Sequence, residues 1–193
     1  VYTRIVDSAG NDYGNSVTCD SSGNVYLTGS YNGTPTVKND AGTTLFTLPA
    51  SSGTAAFVTK FNSTNNANNY VYSRIVDATT NNDVGNFVTC DVYNNMYIGG
   101  TYNGTTVIKN DAGTILSNLA TSSGFAGFVS KFDSTGTYKY SLIIDSTGTD
   151  DLRGINCDAF GSLYVTGQVP LNCDAVIKYS STSNVNIGYL PAL

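Results

Sequence analysis

Apolar and polar side chains alternate with a period of two over short runs along most of this chain. In the stretch Val17 to Gly29, VTCDSSGNVYLTG, one alternating run ends at Asp20 and a second run begins at Val25. Such alternation predicts β-strands with one buried face. The Asp-Ser-Ser-Gly-Asn between the runs is typical of a tight turn, because Asp bonds the nearby backbone and Gly accepts a positive φ. The stretch therefore predicts a two-stranded hairpin.

This hairpin pattern occurs three times, and internal repetition is the strongest signal in the sequence. The pattern returns at Val88 to Gly100 and at Ile155 to Gly167. The opening VYTRIVD returns as VYSRIVD at Val71 to Asp77, and YNGTPTVKNDAGT, which begins at Tyr31, returns at Tyr102 as YNGTTVIKNDAGT. The chain is therefore a tandem array of one strand-rich unit.

Each unit is predicted to contain four core strands, and each of the two full units also contains one inserted hairpin. In the first unit the core strands are Ser16 to Asp20, Val25 to Ser30, Ala55 to Phe61 and Tyr70 to Asp77. The inserted hairpin, here called the ribbon, runs from Pro35 to Leu48 around the polar turn Asn-Asp-Ala-Gly and is expected to project from the blade. The segment DAVIKY, Asp174 to Tyr179, is interpreted as the third core strand of the third unit, which would then lack a ribbon. Asn184 to Leu190 is interpreted as a weaker fourth strand.

These boundaries give a single repeat domain over residues 1–193. Residues 1–7 form an extra strand, residues 8–77 repeat 1, residues 78–145 repeat 2, and residues 146–193 a shortened repeat 3. We expect the apolar side of these strands to lie in or beside a blade core. The candidates in the first unit are Val17, Cys19, Val25, Leu27, Phe57 and Val58, and their copies in the second unit are Val88, Cys90, Ile98, Phe128 and Val129.

The pattern D-x-x-G-N-x-Y-x-T-G at residues 20–29, with D-A-V-I-K at residues 174–178, resembles the SBBP family of β-propeller repeats. Ala56 and Gly127 replace the Asp of the second element in units one and two. The resemblance implies an all-β fold of three tandem four-stranded antiparallel blade-like repeats with inserted hairpins, mostly found in extracellular or surface proteins. Closed propellers usually have four to eight blades, so we expect an incomplete propeller or one completed between molecules.

Composition and charge argue against several functions. The net charge is −5 and the nine basic residues are scattered, so no stripe is available for a nucleic-acid backbone. No apolar run approaches the ~18 residues that span a bilayer, and we expect no membrane insertion. Histidine is absent, and the sequence has no P-loop or nucleophile elbow. We therefore expect no enzymatic activity and no cofactor.

Charged residues that recur in every unit are more typical of structure than of catalysis. The repeated carboxylates, expected to hold turns, are Asp20, Asp91 and Asp158. The repeated lysines, expected at strand edges or beside a repeated Asp, are Lys60, Lys131 and Lys178. The acid-rich turns Asp7 to Asp12 and Thr147 to Asp151 could offer oxygen ligands to Ca²⁺, but they lack EF-hand or RTX spacing, so no metal site is predicted.

Cysteines and sequons suggest two candidate modifications. Cys19, Cys90 and Cys157 are equivalent and are interpreted as small buried residues, whereas Cys173 has no counterpart and leaves a candidate Cys157–Cys173 disulfide. The N-x-[ST] sequons make Asn32, Asn62 and Asn103 candidate glycosylation sites. At Asn32 and Asn103 the alternative is that Asn-Gly serves only as turn chemistry.

The extra strand at the start of the chain carries the functional hypothesis. Its residues are Val1, Tyr2, Thr3, Arg4, Ile5, Val6 and Asp7, and their sequence is that of a fourth blade strand that has no blade before it. An unpaired strand attracts another strand, so we expect copies of this chain to be partners. The protein is then a structural subunit of an extracellular or cell- or virion-surface filament, a homopolymer assembled by β-strand addition. In a rival arrangement the strand folds back within its own chain. The alternative function is an adhesin-like module that binds glycan or protein through propeller-face loops.

Overall fold

The computed structural model of the protein describes residues 3–64, 69–78, 81–170, 175–180 and 184–190, with only the backbone for the last two ranges. Every regular element in these ranges is a β-strand, which confirms the all-β prediction. The strands are β1 (Arg4–Asp7), β2 (Tyr13–Cys19), β3 (Val25–Gly33), β4 (Thr36–Asn39), β5 (Thr44–Thr47), β6 (Ser51–Phe61), β7 (Tyr70–Ala78), β8 (Val84–Cys90), β9 (Met96–Gly104), β10 (Thr106–Asn110), β11 (Ile115–Asn118), β12 (Ser122–Phe132), β13 (Tyr138–Asp145), β14 (Asp151–Cys157), β15 (Leu163–Gln168), β16 (Ala175–Ser180) and β17 (Asn184–Leu190).

The strands form four antiparallel sheets, which we call layers 1 to 4 in stacking order. Layer 1 contains β1–β4–β5, and layer 4 contains β14–β15. Layer 2 has the order β11–β10–β7–β6–β3–β2, and layer 3 repeats it as β17–β16–β13–β12–β9–β8. Layers 2 and 3 each contain the four core strands of a unit, whereas layers 1 and 4 contain only part of one. Three complete four-stranded blades are therefore not present among the described strands.

Apolar side chains fill the space between successive layers, because each strand presents alternate side chains to its two sides. Val37 and Leu48 of the first ribbon pack on Phe57 and Ile75 between layers 1 and 2. The largest cluster lies between layers 2 and 3 and includes Tyr26, Val58, Val76, Val88, Ile98, Ile108 and Phe128. A third cluster between layers 3 and 4 contains Tyr97, Val129 and Leu152, with Ile155, Leu163 and Val165 packed against it. This face-to-face stacking resembles that of propeller blades.

The ribbons do not project from the blades, and that expectation was wrong. Each ribbon crosses back to the preceding layer and pairs with the fourth strand there. β4 pairs with β1, and β10 pairs with β7. An ion pair accompanies each crossing, with Lys38 Nζ 2.5 Å from Asp7 Oδ2 and Lys109 Nζ 2.5 Å from Asp77 Oδ2. Each unit is therefore hydrogen-bonded to the one before it.

The third unit also needs correction. β16, which the sequence assigned to the third core strand, pairs with β13 of layer 3, while β15 pairs with β14. Lys178 lies opposite Ile143, as Lys109 lies opposite Ile75 in the second ribbon. β17 pairs with β16 as the second ribbon strand and is not a fourth core strand. The described third unit therefore consists of its first two core strands and a ribbon, because AVIK resembles the ribbon sequence TVIK as well as a core strand.

Candidate assembly interface

The turn between the first and second core strands is built in the same way in all three units. Asp20 Oδ1 accepts hydrogen bonds from the backbone N–H groups of Ser22 at 3.0 Å and Asn24 at 2.9 Å, and Tyr26 donates its hydroxyl to Oδ2 at 3.1 Å. Asp91 and Asp158 make the equivalent bonds, including those from Tyr97 and Tyr164, both 3.1 Å long. The predicted turn role of these carboxylates is confirmed.

Hydrogen bonding outweighs burial at these carboxylates. Burial opposes ionisation of Asp20, but the side chain and backbone of Asn24 and the Tyr26 hydroxyl hold its pKa below the usual value. At the exposed Asp158, the backbone N–H of Ser162 is the main group that lowers the pKa. All three turns therefore present a stable negative charge at the tip of the hairpin.

A lysine from the third core strand approaches this charge in layers 2 and 3. Lys60 Nζ lies 3.9 Å from Asp20 Oδ2 and 5.2 Å from the centre of the Tyr26 ring. Lys131 Nζ lies 3.5 Å from Asp91 Oδ2 and 4.9 Å from the Tyr97 ring. The expectation that a repeated lysine accompanies a repeated Asp is correct for these two units. The side chain of Lys178 lies outside the described part of the chain.

The two partial layers at the ends of the stack contain different halves of one layer. By comparison with layer 2, β14 and β15 occupy the positions of the first and second core strands. Layer 1 instead has a fourth core strand, β1, and the ribbon strands β4 and β5. Layer 4 thus holds the first two positions, here called the inner half, and layer 1 holds the fourth core strand and the ribbon, here called the outer half. Among the described strands, neither layer supplies the third core position.

Equivalent residues differ greatly in exposure according to their layer. The tyrosine that bonds the turn carboxylate is 0% exposed at Tyr26 and 1% at Tyr97, but 60% at Tyr164. The valine of the first core strand is 6% exposed at Val88 and 65% at Val17. In layers 2 and 3 these positions face each other across a buried interface. Layer 4 therefore exposes at Tyr164 the surface that layer 2 buries against layer 3. Layer 2 exposes at Val17 the surface that layer 3 buries against layer 2.

Val17 and Cys19 are consequently exposed, and the prediction that both lie in a core was wrong. Cys90, the equivalent of Cys19, packs against the cluster between layers 2 and 3, where burial raises its pKa to about 12. The difference arises because the described part of layer 1 has no strand opposite β2. Leu27 is half-buried and packs against the cluster between layers 1 and 2, as predicted.

The candidate assembly strand is partly occupied within its own chain. Val1 and Tyr2 lie outside the described residues, and Arg4 to Asp7 pair with β4 along one edge of β1. The sequence-based description of this strand as unpaired was therefore wrong on that edge. On the opposite edge of β1, no other described strand is paired. In layer 2, the corresponding edge of β7 pairs with β6. Strand addition there stays a prediction.

The candidate modification sites fall on different surfaces. Asn32 is exposed, and its side-chain amide donates to the Gly53 carbonyl at 2.8 Å. Asn62 and Asn103 are half-buried. Cys157 packs between layers 3 and 4 and forms no disulfide with another described cysteine, and Cys173 lies outside the described residues. Glycosylation and the disulfide stay predictions.

Neither acid-rich turn offers an evident metal site. Ser8 donates its backbone N–H to Asp12 Oδ2 at 2.6 Å, and Ser146 donates to Asp150 in the same way, also at 2.6 Å. Within the described ranges no group of three or more Cys, Asp or Glu side chains is arranged to hold a metal ion. The same part of the chain contains no helix long and apolar enough to cross a membrane.

The first hairpin and the strand before it also match a known family. Residues 1–35 match the model of SBBP, a beta-propeller repeat. This part of the chain is similar to an SBBP-type repeat. The SBBP match contains β1, β2, β3 and the Asp20 turn, and the structure repeats that turn at Asp91 and Asp158. No curated protein matches the chain.

Proposed function

We propose that this SBBP-type chain is a structural subunit of an extracellular or surface homopolymer, built head to tail through its two partial layers. In this assembly the inner half-layer β14–β15 of one copy lies beside the outer half-layer β1–β4–β5 of the next. The exposure of Tyr164 and Val17 supports the proposal. Their equivalents Tyr26 in layer 2 and Val88 in layer 3 are buried in the interface between those two layers. The contact is heterologous, so repeated addition gives a filament or a ring.

The apolar character of both surfaces fits a second copy as the partner. Tyr13 and Val17 are 56% and 65% exposed on β2, and Phe160 and Tyr164 are 85% and 60% exposed on layer 4. The cluster between layers 2 and 3 contains Val88 and Tyr26, which are the equivalents of Val17 and Tyr164. Exposed apolar groups of this kind commonly mark association surfaces. A surface location accords with the low charged fraction of 12% and with the exposed sequon at Asn32.

Two charge substitutions, each at one end of the stack, test the assembly. We expect the unmodified protein to associate with rising concentration in sedimentation velocity experiments and to form rods or rings in negative stain. Val17→Asp and Tyr164→Asp should each abolish the association, because each places a charge in an apolar contact. Ile115→Asp is the matched control, since Ile115 is 56% exposed on β11 of the second ribbon, away from both surfaces. It should assemble normally.

Mixing the two end variants sharpens this test. The Val17→Asp chain keeps an intact layer 4, and the Tyr164→Asp chain keeps an intact β2 surface. A mixture should therefore give one-to-one dimers and nothing larger. A protein that stays monomeric at every concentration, or variants that polymerise unchanged, would refute the proposal.

The second candidate is an adhesin-like binding module. Tyr93 and Phe160 occupy equivalent places at two hairpin tips and are 70% and 85% exposed. A Cβ added to Gly161 would lie 3.1 Å from the Tyr93 ring, so the two tips are neighbours. Aromatic rings side by side can stack on sugars. Saturable glycan binding by the monomeric Val17→Asp variant, lost on Phe160→Ala, would favour this function.

A further inference from the structure

The partial layers leave free the two edges that flank a single strand position. In layer 2 the third core strand β6 pairs with β3 on one side and β7 on the other. β15 is the equivalent of β3, and β1 is the equivalent of β7. Among the described strands, β15 pairs with β14 alone and β1 with β4 alone. Both free edges therefore belong beside a third core strand.

A cavity lies next to each free edge. One, of about 320 Å³, is lined by residues of layers 3 and 4 that include Gly127, Ile144, Leu152 and Val165. The other, of about 290 Å³, lies between layers 1 and 2 and is lined by Ile5, Val6, Leu27 and Phe57, among others. In layer 3, Ala126 and Phe128 of the third strand project into the interface with layer 2, and Val129 projects towards layer 4. A strand of this type would fill one cavity from each of its faces.

The turn in layer 4 has the negative partner for such a strand. Asp158 and Tyr164 reproduce the arrangement that receives Lys60 in layer 2 and Lys131 in layer 3. Both lysines come from third core strands, β6 and β12. No side chain in the described part of the molecule forms an ion pair with Asp158.

We infer that the free edge of β15 is a binding site for a donated third core strand of the β6 or β12 type. The occupant is an extended segment of a separate partner protein, because β6 and β12 of each copy already pair on both edges. This segment alternates Ala and Phe on one face and carries a lysine on the other. Its backbone extends the β14–β15 sheet by β-augmentation, its Phe enters the 320 Å³ cavity, and its lysine reaches Asp158 and Tyr164. The inference deepens the proposed function. It rests on that function in one respect, because the second neighbour of the donated strand is β1 of the next copy.

A synthetic peptide with the sequence of Ser122–Phe132, SSGFAGFVSKF, is the probe. Added to the full chain, the peptide should bind saturably in fluorescence anisotropy and shift the backbone amide NMR signals of Leu163 to Gln168. Phe128→Asp in the peptide should weaken binding by at least about tenfold, because a charge would enter an apolar cavity. A scrambled peptide of the same composition should not bind.

A double-mutant cycle tests the lysine contact. Asp158→Asn keeps the oxygen that holds the turn, as Asn39 does in the first ribbon, but removes the charge. Asp158→Asn should weaken binding of the parent peptide by about 2–10-fold and should leave binding of a Lys131→Ala peptide unchanged. Equal weakening of both peptides would show that the lysine does not contact Asp158.

A tethered version covers the case in which the free peptide is insoluble. Here the same eleven residues follow Leu193 through a Gly-Ser linker, and hydrogen exchange at Leu163 to Gln168 is the readout. Protection that disappears with Phe128→Asp in the tether supports the inference, and equal exchange with and without the tether overturns it. Self-assembly in the absence of strand binding would overturn this inference alone, whereas strand binding by a chain that never assembles would overturn only the proposed function.

Discussion

At the scale of single residues, the hairpin turns show which role of a carboxylate depends on its oxygen atoms and which depends on its charge. Asn39 Oδ1 accepts from the backbone N–H groups of Ala41 and Thr43 in the first ribbon, just as Asp20 accepts from Ser22 and Asn24. The turn itself therefore requires an oxygen and not a charge. The charge is present where a third-strand lysine approaches, at Asp20 and Asp91. A repeated Asp in this sequence thus has both a local role and a role between strands.

Asp83 differs from its equivalents because an alanine replaces the serine that donates a hydroxyl group in the other two units. Ser8 and Ser146 donate hydroxyl groups to Asp12 and Asp150, whereas Ala78 takes this position in the second unit. Asp83 is fully buried and accepts from the backbone N–H groups of Ala78 at 2.5 Å and Asn103 at 3.3 Å. Burial is the main cause that raises its pKa to about 7, and these bonds only partly offset it.

This raised pKa predicts a pH dependence of stability. The folded chain holds the Asp83 proton more tightly than the unfolded chain, so Asp83 favours folding at low pH. That contribution is lost as the pH rises from about 4 through 7. The free energy of unfolding should therefore fall by roughly 2–4 kcal/mol over this pH range, at about 1.4 kcal/mol per pKa unit. Asp83→Asn should remove most of this decrease. Urea unfolding at intervals between pH 5 and 8 measures it.

Asp20→Asn is the control for this experiment. Hydrogen bonds lower the pKa of Asp20 against the effect of burial, so its contribution is present above the unfolded pKa and is lost only at acid pH. The control should keep the parent slope between pH 5 and 8. A parent slope that survives in Asp83→Asn would mean that another group is responsible.

At the scale of elements, the ribbon crossing is held by ion pairs in different environments. The Asp77 side chain is 4% exposed and also accepts from Ser51 at 2.7 Å, whereas the Asp7 side chain is 51% exposed. Removing the cation from a buried pair leaves an uncompensated charge, which is costly, while an exposed pair contributes little. The two crossings are therefore a matched comparison within one chain.

We expect Lys109→Met to destabilise the protein by about 3–5 kcal/mol and Lys38→Met by no more than about 1 kcal/mol. Chemical denaturation followed by tyrosine fluorescence measures both changes. High salt should reduce the difference between parent and Lys38→Met more than that between parent and Lys109→Met. Equal costs for the two variants would show that burial of Asp77 does not decide the strength of the crossing.

The sequence predicted the core strands and turns well because their signals are local. Period-two alternation placed β2, β3, β6 and β7 close to their observed positions, and Asp with Gly marked the turns. The partner of a ribbon strand is not a local property, so the crossing to the preceding layer was missed. AVIK in β16 resembled both a core strand and a ribbon strand, and only its pairing with β13 separates the two.

At the scale of the whole molecule, position in the stack decides what a repeated residue contributes. The candidate site was only half predictable for this reason, since Val17 and Val88 have the same sequence context but opposite exposure. The sequence singled out β1, whose role in assembly stays a prediction, but it did not single out the exposed surfaces at Val17 and Tyr164. Exposure depends on whether a neighbouring layer is present, and no pattern within one unit reports that.

This dependence predicts different costs for one substitution at two equivalent sites. In the monomer, Val88→Ala should cost roughly 1.5–3 kcal/mol, from lost burial and the cavity left behind. Val17→Ala should stay within about 0.5 kcal/mol of the parent. Thermal unfolding at low protein concentration, where association is absent, compares them. A large cost at Val17 in the monomer would show that its side chain is covered.

The backward crossing of each ribbon also has a consequence for synthesis on the ribosome. The outer edge of β7 receives its partner only when Thr106–Asn118 have emerged, roughly forty residues after Ala78. At about 5–20 residues per second, this edge waits about 2–8 s without a partner. The nascent chain is therefore most prone to wrong pairing at its newest layer, and a pause in translation just before each ribbon would prolong that exposure.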